Sequence, residues 1–70
     1  MDQIKLLDVV ALTTDLADRN LVRGQVGTAV ERLGLDVYEV EFSDDSGRTY
    51  AQVPLRTDQF MILHYAPQAA

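Results

Sequence analysis

From Val37 to Ser43 the chain alternates: Tyr38, Val40 and Phe42 are apolar, while Glu39, Glu41 and Ser43 between them are polar. Successive strand side chains point to opposite faces, so this stretch predicts a strand with one apolar and one acidic side. Asp44-Asp-Ser-Gly47 follows with turn chemistry. Asp and Ser side chains bond nearby backbone, and glycine takes positive φ without steric cost. Arg48 to Val53 then predicts the returning strand. Pairing Ser43 with Arg48 puts Tyr38, Val40 and Phe42 on one face with Thr49, Ala51 and Val53. A bulge at Gly47 would shift that register by one and turn Tyr50 inward. The unbulged register is the expectation.

The same reading extends along the chain. Val26 to Arg32 predicts a strand, joined to the next through Leu33 to Asp36. Leu6 to Leu12 predicts the first strand. Ile4, Leu7, Ala11 and Leu12 could also line a helix face, but adjacent Val9 and Val10 followed by Thr13 and Thr14 favour a pleated surface. Thr13 to Arg23 is then a long loop. Pro54 cannot donate to a ladder and should end the fourth strand. Leu55 to Asp58 fits one helical turn, Gln59 to Tyr65 a last strand, and residues 66–70 a frayed tail. Five short strands, a long first loop and a helical turn before the last strand predict an all-β, five-stranded antiparallel SH3-like barrel. It forms a single domain over residues 1–70, with its core at about 4–65. Closing a barrel limits the edges that a short chain exposes.

Gly24-Gln-Val-Gly27 raises a question of its own. Gly-x-x-Gly is the backbone clamp of KH domains, but that loop sits among helices and uses nearby bases. Here the following residues alternate as a strand. The favoured reading is structural: Gly24 takes positive φ as the chain enters the second strand, and Gly27 allows close approach where the barrel bends.

Charge narrows the function classes. Eleven acids face six bases, for a net charge of −5. Nucleic-acid binding draws on clustered Lys and Arg, and here the bases are scattered, so nucleic acid is not the expected partner. There is no cysteine, hence neither a disulfide framework nor a thiolate metal site. No unbroken apolar run is longer than Phe60 to Leu63, far short of the ~20 residues of a spanning helix. The first residues carry no basic, then apolar, leader pattern. The expectation is a cytoplasmic protein without membrane association.

The stretches IKLLDVVALTTDL, LVRGQVGTAVE, YEVEF with DDSGRTYA, and the closing LHY resemble the small bacterial family known as domain of unknown function 4926. The likeness runs from about Ile4 to Tyr65. More loosely, the Gly-x-x-Gly-Thr strand is similar to KOW-type and other SH3-like barrels. The resemblance implies the barrel and carries over no catalytic or ligand residues. Its members' frequent placement beside other small proteins or toxins implies a neighbouring protein as partner, with an antitoxin-like or accessory role.

Candidate chemistry is sparse. His64, between Leu63 and Tyr65, is the sole histidine and lacks a recognisable triad partner, so a strand-end residue is the expected role. Asp15, Asp18, Asp44 and Asp45 lack the oxygen spacing of a calcium loop and read as turn and cap residues. No cofactor, metal or catalysis is expected. Two features point to partner binding instead. Glu39 and Glu41, with Asp44 and Asp45 at their end, form an acidic stripe. It is either a solvated face paired with Arg32 and Arg48, or a recognition surface for a basic protein. Phe60-Met-Ile-Leu63 has no polar member, so its outward side chains, with Phe60 and Ile62 as candidates, are either covered or open to a partner or a second copy. A KOW-like nucleic-acid barrel is the alternative function, on fold analogy alone.

Overall fold

The computed structural model describes residues 4–69. Five antiparallel strands form one sheet: β1 (Val9–Leu12), β2 (Val26–Gly34), β3 (Val37–Ser43), β4 (Thr49–Arg56) and β5 (Phe60–Ile62). Their order is β4-β3-β2-β1-β5. Single 3₁₀ turns stand at Ala17–Arg19 and Thr57–Gln59. The chain is all-β, as the alternation predicts, and the arrangement fits a small SH3-like barrel.

The core follows from period-two patterning. Tyr38, Val40 and Phe42 of β3 point inward with Val53 and Leu55 of β4, Val10 and Leu12 of β1, Ala29 of β2 and Phe60 of β5. Leu21 joins them from the long loop. Val40, Phe42 and Ala29 are fully enclosed. Each large apolar side chain buried this way contributes about 1.5–3 kcal/mol relative to exposure. Tyr38 and Phe60 meet edge to face, with ring centroids 6.4 Å apart, which joins β3 to β5 through the core.

The two neighbouring glycines have different tasks. Gly24 has φ +93°, in the left-handed region, and its amide donates to Leu12 O at 2.8 Å as the chain turns into β2. Gly27 lies inside β2, where a Cβ would stand 2.8 Å from Val40 Cγ1 and 2.9 Å from Glu41 O. Both roles are structural.

Several boundaries differ from the sequence expectation. β1 starts at Val9 rather than Leu6. Leu7 has φ +73°, which breaks the extended run, although its amide still reaches Ala29 O at 2.6 Å. The β3–β4 hairpin is bulged, but not at Gly47. Ser43 pairs with Thr49 and Phe42 with Ala51, so Tyr50 is the extra residue. The register therefore slides: Val40 faces Val53 and Tyr38 faces Leu55. Tyr50 does not turn into the core. It is half exposed, its ring tilted 6.4 Å from that of Phe42.

Pro54 does not end β4 but sits within it, opposite Glu39. β4 is an edge strand. The amide of Arg56, at the same alternation, donates to Gln59 Oε1 at 2.8 Å and not to β3, so position 54 also faces away from the ladder and loses no bond there. The 3₁₀ turn before β5 begins at Thr57, and β5 ends at Ile62 rather than Tyr65. The turn Ala17–Arg19 within the long loop lies where the sequence reading has only loop. Of the tail, residue 70 lies outside the described residues.

Candidate interaction face

The acidic stripe exists, on the outer face of the sheet. Glu39 and Glu41 are half-buried between the inward Tyr38, Val40 and Phe42. Antiparallel pairing adds a residue that the sequence reading missed: Glu31 of β2 stands directly opposite Glu39. Like charges directly opposite destabilise a sheet. A bulge between Ala29 and Glu31 creates this juxtaposition, and no spacing rule in the sequence announces a bulge.

Among the described residues Glu31, Glu39 and Glu41 form no ion pair, although Arg56, opposite Val37, stands one row from Glu39 on the same face and pairs with Asp58 instead. Arg32, expected to pair with it, donates instead to turn carbonyls, through Nε to Gly34 O at 3.0 Å and through Nη2 to Leu35 O at 3.5 Å. The ion pair found among the described residues is Arg56–Asp58 at 3.1 Å, between exposed side chains, a geometry worth little. Glu39 Oε1 is closed to solvent and accepts no hydrogen bond.

Asp44 and Asp45 do not extend this face as binding groups of one kind. Asp44 is the turn's organiser: its Oδ1 accepts from Ser46 Oγ at 2.8 Å and from the amides of Ser46 and Arg48 at 3.0 Å each. The Ser46 hydroxyl, then the Arg48 amide, hold its carboxyl below the usual aspartate range. Asp45 is exposed at the turn. Among the described residues no group of three or more His, Asp or Glu is placed to hold a metal ion.

The apolar candidates need correction. Phe60 is buried at 7% exposure, and Ile62 packs against the core. Phe60 is closed to a partner, and Ile62 is only partly exposed. The outward residue of β5 is Met61, 54% exposed. It pairs with Ala11, which pairs in turn with Val26. Residues directly opposite share a face, so Met61, Ala11 and Val26 form an apolar row across β5, β1 and β2. The next row holds Val9, Thr28, Glu41 and Gln52. The apolar row and the acidic stripe are thus neighbours on one face.

Other features converge less. His64 is exposed just past β5. A groove of about 320 Å³ lies between the turn Ala17–Arg19 and β4, but Asp18, Arg19 and Arg56 line it with charges of both signs. Among the described residues no helix is long and apolar enough to cross a membrane.

A sequence model of the family described as "Domain of unknown function (DUF4926)" matches residues 6–62. No curated protein and no solved structure matches the chain.

Proposed function

The chain belongs to the DUF4926 family, and from its own surface we propose that it is a cytoplasmic, non-catalytic interaction module that docks a basic protein on the outer face of its sheet. One observation carries this reading. Glu31, Glu39 and Glu41 stand together and form no ion pair among the described residues, although Glu31 opposes Glu39 and one Glu39 oxygen is shut off from water unpaired. Such an arrangement costs stability in the free protein. A cationic partner repays that cost on binding and is drawn in faster by the combined field. The net charge of −5 opposes the alternative of a nucleic-acid barrel, which needs a basic footprint.

The test is affinity capture from nuclease-treated extract of the native host, with wild type and with Glu39→Lys/Glu41→Lys as baits. The expected result is a basic protein retained by wild type and lost from the variant. Equal retention on both baits, or capture only when the nuclease is omitted, would contradict the reading.

A further inference from the structure

We propose that Ala11, between Val26 and Met61, is the anchor point of this face, and that its occupant is a cationic amphipathic segment of the partner protein. The segment seats one aliphatic side chain over Ala11 and sets Lys or Arg over Glu41 and Glu39. This rests on the interaction reading above and names the partner's docking chemistry.

Ala11 lies between Val10 and Leu12, both in the core, so its side chain points to the outer face. It is nevertheless only 8% exposed, while its row neighbours Val26 and Met61 are 47% and 54% exposed. The small side chain is therefore the floor of a trough, and the two larger ones are its walls. Val9 extends the apolar ground one step along β1. An aliphatic group laid over Ala11 covers the exposed flanks of Val26 and Met61 at once, as an interface anchor does.

The charge beside the trough selects the occupant. Thr28 is two residues from Val26 on β2 and directly opposite Glu41. Glu41 is thus the diagonal neighbour of the row, about 7–8 Å away. Glu39 follows about 7 Å further along β3, facing Glu31. One apolar anchor with basic side chains at these offsets satisfies both features. A second copy of this chain would bring its own acids against these, and an anionic lipid surface would repel them.

The experiment is a titration of the isotope-labelled full chain, followed by amide chemical shifts. The probes are three short synthetic peptides of equal length, alternating Lys with Leu, Lys with Ser, and Glu with Leu. The Lys-Leu peptide should shift the amides of Ala11, Val26, Met61 and Glu41. It should bind about tenfold or more tighter than the Lys-Ser peptide, the difference made by one buried aliphatic group. Val26→Thr with Met61→Thr should abolish that difference. Both sites are exposed and threonine suits a strand, so an unchanged spectrum elsewhere shows the fold retained. Equal binding of the two Lys peptides, confined to Glu39 and Glu41, would overturn the anchor and leave the interaction reading standing. Binding of neither Lys peptide would overturn both. Equal binding of the Glu-Leu peptide, a concentration-dependent dimer through Ala11, or the same shifts with phosphatidylserine vesicles would each overturn the cationic-segment assignment.

Discussion

Gly27 and Val40 are so close that any side chain at position 27 crowds the strands: a Cβ on Gly27 would stand 2.8 Å from Val40 Cγ1. Val40 cannot retreat, because it is fully buried, and the backbone oxygen of Glu41 at 2.9 Å blocks the other side. Gly27→Ala should therefore lower stability by about 1–3 kcal/mol through overpacking. Urea unfolding followed by circular dichroism measures it. An unchanged midpoint would mean that β2 can move off β3 freely.

Gly47 and Gly34 separate backbone strain from crowding. Neither would bring a Cβ within 4 Å of a neighbour, but only Gly47 has a positive φ, at +85°. Gly47→Val should cost about 1–2 kcal/mol, because a β-branched residue tolerates that conformation poorly. Gly34→Ala should stay within about 0.5 kcal/mol of wild type. The same denaturation assay compares them, and equal effects would refute the assigned conformations.

The opposition of Glu31 and Glu39 across β2 and β3 predicts a stabilising substitution. Glu31→Lys replaces a like-charge pair by an opposite one and should gain about 0.2–1 kcal/mol. The gain should shrink as salt rises, since Glu31 is exposed to solvent. Thermal melts at low and high salt test this. A loss of stability would mean that the two carboxylates do not feel each other.

Much of this arrangement is legible in the chain. The alternation of Tyr38, Val40 and Phe42 with two glutamates defines β3 and its acidic side. Asp44 and Gly47 define the turn, and the two roles of Gly24 and Gly27 follow from a strand beginning there. Parity was not legible in Phe60-Met-Ile-Leu63, because an all-apolar run carries no period-two signal. Hence the sequence offers Phe60 and Ile62 for the outside, and Met61 occupies it. The extra residue at Tyr50 and the bulge that aligns Glu31 with Glu39 depend on pairing between strands, which a single strand's pattern does not contain. Pro54 reads as a strand end only until β4 is known to be an edge.

Asp44 gives the hairpin a pH dependence of known sign. Its folded carboxyl titrates below the usual range, through the Ser46 hydroxyl first and the Arg48 amide next. A depressed folded value means that the ionised form stabilises the fold above the unfolded value and is lost as pH falls through the folded one. Wild type should therefore be more stable than Asp44→Ala at neutral pH, and the gap should close as pH drops below about 4. Melts of both proteins across that interval check it. A gap that persists in acid would assign the turn's stability to other bonds.

The central claim is that the outer face receives a cationic protein, and the association rate with the captured partner tests it most directly. Surface plasmon resonance would compare wild type with Glu39→Lys/Glu41→Lys at about 0.05 M and about 0.5 M salt, conditions that bracket strong and weak screening. The account predicts a wild-type rate that falls steeply with salt, and a variant that is slower at low salt and nearly insensitive to it. Equal rates with equal salt dependence would contradict the claim and leave Glu39 and Glu41 as a solvated strand face.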